Sequence, residues 1–392
     1  MTKLKKAATF PLLACYGIGT ILGAGIYVLI GKVAAESGMQ APFAFILAAV
    51  IAAFTAYSYA ELSSRYPKSG GEAVYVLHGF GSKPLSALVG WLIIFTGIVS
   101  AATMANGFVG YLDLFVHIPR QASITALVLT LGILAVWGIS ESLWIVAVIT
   151  FVEVAGLVLV LFAAGDVLVE LPGRYPELLP GSSLADWTGI ALGGFLAFYA
   201  YIGFEDMVNI AEEVKEPKKN LPRAIFLALG ISTIFYILLA LVAILAVPLQ
   251  ELAASEAPLA LILETRGYRP TLIGVISLFA VVNGALVQII MASRVAYGMG
   301  MFGLANSWLA HVHEKTQTPV AATVLATLAV LVLALVFPLV TLAKLTSLII
   351  LMVFTLVNLS LVKIKKRKQV WIPLTGALFC VLLILLQIGL IV

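Results

Sequence analysis

Long apolar runs, divided at charged or Pro/Gly-rich joints, set the layout of this 392-residue chain. A helix crosses the hydrocarbon core with about 20 mostly apolar residues. The runs supply eleven such stretches, at about 9–35, 41–65, 84–116, 122–139, 143–165, 186–212, 221–247, 270–302, 319–337, 340–362 and 370–391. An odd count places the two termini on opposite sides of the bilayer. Two connections are long enough to carry structure of their own. Residues 166–185 are acidic and rich in Pro and Gly, and 249–267 are too short and too charged to span. The second predicts a short amphipathic helix over the outer mouth, with a lid as its functional version.

Two spans break the pattern. The first holds Gly17, Gly19, Gly23 and Gly25 within nine residues, in the stretch Gly17 to Tyr27. At membrane depth a helix is interrupted only where the freed backbone groups face protein, water or a ligand. Gly19-xxx-Gly23 is also a small-xxx-small pattern that lets helices pack closely, so the stretch alone leaves packing and an unwound site both open. The sixth span then carries Gly203 followed by Glu205 and Asp206, two carboxylates where a packed helix loses several kcal/mol by holding them. Five spans separate the two interruptions, and because five is odd the second block is inverted relative to the first. Paired discontinuous helices in inverted repeats meet near the midplane around a substrate. The stretch at 17–27 therefore reads as a binding site built of backbone.

The predicted fold is an all-α polytopic membrane protein. Residues 1–165 form a first five-helix repeat, 166–185 an extracellular connection, 186–362 a second, inverted repeat, and 363–392 a cytoplasmic basic loop with the eleventh span.

Composition agrees: 62% hydrophobic, 11% charged and a mean hydropathy of +1.12, where a soluble domain carries about 25% charged residues. Cys15 and Cys380 both lie inside apolar runs and give no disulfide framework or metal cluster. Met1 to Lys6 resembles a signal n-region, but the apolar segment behind it is too long and lacks a cleavage site, so it reads as a retained first helix. Lys and Arg sort by side, as the positive-inside rule requires. With the N-terminus cytoplasmic and the C-terminus extracellular, Lys3, Lys5, Lys6, Arg65, Lys68, Lys83, Lys215, Lys218, Lys219, Arg223, Arg294, Lys315, Lys363, Lys365, Lys366, Arg367 and Lys368 fall inside. Lys32, Arg120, Arg174, Arg266, Arg269 and Lys344 fall outside. The run at 363–368 reads as topogenic, with contact to anionic lipid as its alternative. His311, His313 and Glu314 read as a solvated inner loop rather than a metal site.

Three stretches resemble the amino acid/polyamine/organocation (APC) transporter superfamily. They are Gly-Ile-Gly-Thr-Ile-Leu-Gly-Ala-Gly-Ile-Tyr at 17–27, Ser-Tyr-Ala-Glu-Leu-Ser-Ser-Arg-Tyr-Pro-Lys-Ser-Gly-Gly-Glu at 58–72, and the segment 198–225 that opens Phe-Tyr-Ala-Tyr-Ile-Gly-Phe-Glu-Asp. The resemblance runs in order over essentially the whole chain. It implies the leucine-transporter-type 5+5 inverted repeat with discontinuous spans 1 and 6, and transport of amino acids.

An amino acid presents a carboxylate and an ammonium about 3 Å apart. Where span 1 restarts, the N–H groups near Ala24, Gly25 and Ile26 and the positive end of the helix dipole suit the carboxylate. Where span 6 stops, carbonyls near Phe198, Tyr199, Tyr201 and Ile202 suit the ammonium. Matching family positions contact the substrate backbone, which implies Ile21, Gly23, Ala24 and Gly25 together with Tyr199 and Ile202. On this reading Gly25→Val abolishes binding without unfolding the protein. Tyr199 and Tyr201, two residues apart, cannot share a helical face, so at most one lines the pocket. Met104 and Asn106 on span 3 and Asn283 on span 8 are candidates for the substrate side chain, or for packing.

Glu153 sits alone in the middle of span 5, where an ionisable group is a functional candidate by default. Proton-coupled relatives carry a lysine at the comparable place; this chain does not, so their mechanism is not carried over. A carboxyl there is the proton-coupling candidate, or a hydrogen-bonded acid between helices. Glu61 and Arg65 form an i,i+4 pair at the inner end of span 2, and the resemblance favours an inner-gate role. One of Glu205 and Asp206 is expected to pair with a polar group across the bundle; Glu205 reads as structural rather than substrate-binding, and stands with Asn283 among the coupling or gating candidates.

The leading functional reading is a secondary active amino acid permease that works by alternating access, spans 1, 2, 6 and 7 rocking against the rest. A neutral substrate is preferred because the placed residues are mostly apolar or aromatic. Alternatives are an amino acid exchanger, a polyamine or cationic amino acid transporter and, from another class, a channel. No Gly-x-x-x-x-Gly-Lys-Ser/Thr loop supports a pump, and no His-Glu-x-x-His an intramembrane protease. No cofactor is expected beyond H+ or Na+ as coupling ion, and the partners are an amino acid and the lipid bilayer, without nucleic acid; the oligomeric state is left open.

Overall fold

Backbone N–H and C=O groups have no water to pair with in hydrocarbon, so the chain satisfies them within helices. The computed structural model describes residues 8–389 except 69–70, 138–142, 302, 315, 317 and 366–368. Lys3, Lys5, Lys6, Lys315, Lys366, Arg367 and Lys368 of the charge sorting lie outside the described residues, as do the last residues expected for spans 4 and 11.

In chain order the helices are α1 (Phe10–Leu22), α2 (Ala24–Ser37), α3 (Ala41–Arg65), α4 (Gly71–Phe80), α5 (Lys83–Leu112), α6 (Arg120–Trp137), α7 (Leu143–Ala164), α8 (Leu171–Leu178) and α9 (Leu184–Tyr201). There follow α10 (Asp206–Asn209), α11 (Pro217–Ala246), α12 (Leu249–Ala254), α13 (Pro258–Thr265), α14 (Thr271–Met301), α15 (Val320–Val336), α16 (Leu339–Lys365) and α17 (Trp371–Gly389). Among the described residues there is no strand, only a bridge pairing Ala8 with Val214. Nine helical runs among them are long and apolar enough to cross a membrane, with Phe10–Arg65 counted as one, and Val320–Val336 is a shorter tenth.

Helix starts follow local chemistry. Ser82 and Ser183 cap α5 and α9 by accepting from the backbone N–H of Leu85 at 3.4 Å and of Asp186 at 3.2 Å. Pro11, Pro42, Pro84, Pro217 and Pro258 occupy first turns, where a missing N–H loses nothing.

The interior forms around α9 and the residues after it. α2 and α3 pack on α9, α11 on α3, α1 on α7 and α11, and α14 and α16 on α5. Tyr59, Phe198, Phe204 and Phe354 are fully buried and meet edge to face or tilted, with ring centroids 5.2–5.9 Å apart. On the perimeter Trp137, Phe151 and Phe162 are exposed by 70%, 74% and 88%, which suits a surface facing lipid acyl chains rather than water.

The connections carry more structure than the apolar pattern resolves. Residues 249–267 form two short helices, α12 and α13, because Ser255-Glu256-Ala257 and then Pro258 end the first and start the second. Residues 166–185, expected as a connection, carry a 3-10 turn over Gly165–Glu170 and the helix α8, held by Arg174 against Glu177 at 3.0 Å. The joint after α3 carries α4, which hydropathy alone did not reveal.

The segment from α12 to α13 packs on α2 and, through Glu256 between them, on the end of α5. A Cβ at Gly31 would fall on the Leu252 carbonyl, and one at Gly110 on the Glu256 carbonyl. Lys32 fixes the joint by donating to the Ala253 carbonyl at 3.0 Å and pairing with Glu256 at 3.2 Å.

Candidate functional site

The first interruption is one residue wide. α1 ends at Leu22, Gly23 takes φ −55° and ψ −150°, and α2 begins at Ala24. A single ψ reversal is enough to break the hydrogen-bond ladder and leave the first-turn N–H groups of α2 without intrahelical partners. The neighbouring glycines serve packing. A Cβ at Gly17 would fall on Met207, one at Gly19 on Thr150, and one at Gly25 would lie 2.8 Å from Ala200 Cα.

The second interruption is four residues wide, Ile202 to Glu205, between α9 and the single turn α10. Gly203 has φ 134°, where a side chain is strained, and a Cβ there would fall on the Thr20 carbonyl. Glu205 closes the turn on itself by accepting from the Gly203 N–H at 2.8 Å.

The two breaks are joined. The Thr20 hydroxyl lies 3.0 Å from the Gly203 carbonyl and 3.1 Å from the Gly17 carbonyl of its own helix, and its one proton is shared between them. The Tyr236 hydroxyl of α11 lies between the Ile21 carbonyl and the Ala200 carbonyl, 2.6 Å from the latter, and its one proton serves one of them at a time. Ile202 N–H donates to the Tyr199 carbonyl at 3.2 Å. So the Tyr199 carbonyl, one of the four expected to be unpaired, has a protein partner, and the neighbouring Ala200 and Gly203 carbonyls are also engaged.

Between the breaks lies a tight cavity of about 40 Å³, room for a few waters. Backbone and side chains of Ile21, Gly23, Gly25, Tyr199, Ala200 and Ile202 form one wall. Ser100 and Met104 of α5 and Asn283 and Gln288 of α14 form another, and Thr150 and Glu153 of α7 a third. Asp206 enters from α10. The lining includes two carboxylates and no Lys, Arg or His.

Of the residues singled out in the sequence, Ile21, Gly23, Gly25, Tyr199, Ile202, Glu153, Asn283 and Met104 line this cavity. Ala24 opens α2 beside it. Ile26 is fully buried in the core behind the wall. Phe198 points away, onto Phe354 at 5.9 Å, and Tyr201 donates to the Phe45 carbonyl at 3.1 Å. Of the tyrosine pair, Tyr199 alone lines the cavity, its hydroxyl 3.0 Å from that of Ser100. Asn106 is structural: its Nδ2 donates to the carbonyls of Ala102 and Ala334 at 3.0 and 3.1 Å, and its Oδ1 accepts from Arg120.

Glu61 lies outside the cavity, paired with Arg65 at 3.0 Å and Lys365 at 3.5 Å. His311 and His313 are exposed, as a solvated loop would have them. Glu153 is 2% exposed, and its backbone carbonyl accepts from the Tyr27 hydroxyl at 2.7 Å.

Sequence reasoning missed Asp206 as a wall residue, along with Ser100, Thr150 and Gln288. The Gln288 Nε2 donates to Asp206 Oδ2 at 3.4 Å. A polar residue on each of spans 3, 5 and 8 was the available signal, but no fixed spacing links the three.

Residues 9–392, which include both breaks and all cavity walls, match the amino acid permease family. The chain is 29% identical over 409 residues to the branched-chain amino acid permease BcaP of Bacillus subtilis (strain 168), covering 95% of this chain and 86% of that protein. It is 32% identical over 357 residues to the vacuolar cationic amino acid transporter 4 of Arabidopsis thaliana, and 28% over 353 residues to the mitochondrial cationic amino acid transporter 3 of the same plant. Each of those two alignments covers 85% of this chain, but the chain spans only 58% of the length of either relative. With its two interrupted helices inside a match that runs almost end to end, the chain belongs to the amino acid permease family.

Proposed function

We propose that the protein is a secondary active amino acid transporter that works by alternating access in a cell membrane, its N-terminus cytoplasmic and its C-terminus extracellular. The observation that carries this reading is that two helix breaks, joined by the hydrogen bond from Thr20 to Gly203 across 183 residues of sequence, wall one cavity. The N-terminus of α2 offers N–H groups and a positive dipole end to a carboxylate. Across the cavity, Asp206 and the end of α9 offer negative charge and carbonyl dipoles to an ammonium.

In this reading Phe10–Arg65 divides at residues 38–40 into two spans, giving eleven in a 5+5 inverted repeat plus one. α1, α2, α3, α9, α10 and α11 form the moving bundle. The Gly31 and Gly110 contacts with α12 and α13 close the outer side, so exchange of access requires that joint to open.

The substrate is a neutral amino acid. Ile21, Met104, Val146, Ile202, Ala280 and Val287 supply an apolar surface for its side chain, and the branched-chain relative transports neutral side chains by its name. A cationic amino acid is the second reading, favoured by Glu153 and Asp206 in a wall without a base and by the names of the plant relatives. Coupling is to H+ or Na+, with Glu153 as the proton-carrying group.

Uptake into proteoliposomes, screened over the twenty amino acids with and without pH and sodium gradients, tests the reading. Accumulation of leucine but not arginine is the expected result, the reverse selects the cationic reading, and no accumulation of any amino acid refutes both. Unchanged pH dependence in Glu153→Gln removes that residue from the coupling.

A further inference from the structure

Beside the cavity, and reaching its wall through Asp206, three carboxyl groups are buried together. Glu72 on α4 is 2% exposed, and Glu205 and Asp206 at the second break are 4% exposed each. α4 reaches them because its first residue has no side chain: a Cβ at Gly71 would lie 2.6 Å from Asn209 Oδ1 at the end of α10. Donors reach each carboxyl, among them the Tyr59 hydroxyl to Glu72 at 3.1 Å, the Gly203 N–H to Glu205 at 2.8 Å and the Gln288 amide to Asp206 at 3.4 Å.

None of the three has a cationic partner among the described residues. The charged groups on the elements around Glu72 are engaged elsewhere or exposed. Lys363 of α16 lies 4.0 Å from the Phe80 ring centre, Lys365 pairs with Glu61, and Lys83 at the start of α5 is exposed. On α4 itself, His78 stacks against Tyr66 of the chain just past α3, with ring centres 4.2 Å apart. Facing Glu72 directly are Tyr59, Tyr75 and, from the break, Asp206.

Two buried polar atoms at this cluster lack any hydrogen-bond partner, Tyr75 Oη and Gln288 Oε1. The Tyr75 ring lies 6.2 Å from that of Tyr59, which donates to Glu72, and the Gln288 amide already touches Asp206. An unfilled acceptor beside unpaired buried carboxyls is what a site for an additional hydrogen leaves behind. Three anions packed without a cation lose far more by desolvation and repulsion than three hydrogen bonds return.

We infer that Glu72 is a proton-binding site, tied through Asp206 to the second helix break and separate from Glu153. Its carboxyl binds one proton and releases it to water, with no other bond made or broken. Burial, and after it the charge of Asp206, pushes the Glu72 carboxyl up to about 7, against the pull of a backbone hydrogen bond and of Tyr59. A positive charge drawn to Asp206 from the cavity weakens that repulsion, so cation binding there and proton release from Glu72 are reciprocally linked.

The site is tested without any transported molecule, so its failure is distinct from failure of the transport reading. The purified full chain is titrated by infrared spectroscopy on the protonated-carboxyl C=O band, as wild type, Glu72→Gln, Tyr59→Phe and Glu153→Gln. Wild type is expected to lose a carboxyl band with a midpoint near pH 7. Glu72→Gln removes that component, Glu153→Gln keeps it, and Tyr59→Phe, which deletes a donor to the ionised form, moves the midpoint to higher pH. A wild type without a component near pH 7, or an undiminished amplitude of that component in Glu72→Gln, overturns the inference. Should Glu72→Gln fail to fold, an unmoved midpoint in Tyr59→Phe overturns it equally.

Discussion

The two helix breaks use different means to free backbone in the same apolar setting. The first is a single ψ reversal at Gly23, flanked by glycines whose missing side chains admit Met207, Thr150 and Ala200. The second is a four-residue turn with Gly203 at φ 134°, and it carries two carboxylates. One break therefore ends in donors and a positive dipole end, the other in negative charge, and each leans on the other through Thr20 and Tyr236. A narrow break works where only N–H groups have to be freed. A wide one is needed where side-chain charge has to be turned toward a cavity on one side and toward α4 on the other.

The sharpest way to break this comparison is Gly203→Ala. It places a Cβ on the Thr20 backbone at a φ that side chains rarely adopt, and both effects add to a loss of about 4 kcal/mol. Loss of monodisperse protein on size-exclusion chromatography, or a collapse of the melting temperature, is expected; an unaltered melt refutes the tight join.

The next effect is a pH dependence at the second break. The folded value of about 7 for Glu72 stands above the ordinary 4.5, so the native state holds this proton more tightly than the unfolded one. The resulting stability is complete below pH 4.5, and it is lost as the pH rises to about 7. The total is about 3 kcal/mol by linkage. Melting temperatures from pH 5 to 8 are expected to fall in wild type relative to Glu72→Gln, and parallel curves contradict this.

The smallest effect comes from the join itself. Thr20→Val removes the hydroxyl that reaches Gly203 but keeps the shape, and a loss of about 1 kcal/mol is expected in denaturant or thermal unfolding.

Both breaks were legible in the sequence because glycine clusters and mid-span carboxylates are expensive inside a spanning helix and therefore conspicuous. The roles within them were less legible. Gly25 looked like a place for ligand approach, so Gly25→Val was expected to leave the fold intact. In the structure its missing Cβ makes room for Ala200 at 2.8 Å, and valine there disturbs the packing of α2 on α9 before it can report on binding. Helix periodicity placed only one of Tyr199 and Tyr201 in the pocket but not which one, because a helix that stops at Tyr201 does not fix the facing of its last turn.

The helix α4 was invisible for another reason. Ten residues with Glu72 and His78 among them are too short and too polar for a span. The contact of Gly71 with Asn209 belongs to tertiary structure alone. Asp206 escaped as a wall residue because it follows the turn, where neither period applies.

The central claim is that the cavity between the breaks holds the transported amino acid, and Met104 offers the most direct test. Its side chain lines that cavity from α5 and is 9% exposed. Counterflow of leucine in proteoliposomes is measured for wild type and for Met104→Trp, each checked to melt within a few degrees of the other. The account predicts exchange by wild type and none by the variant, whose indole fills the space between Tyr199 and Gln288. Undiminished exchange by a folded Met104→Trp protein contradicts it.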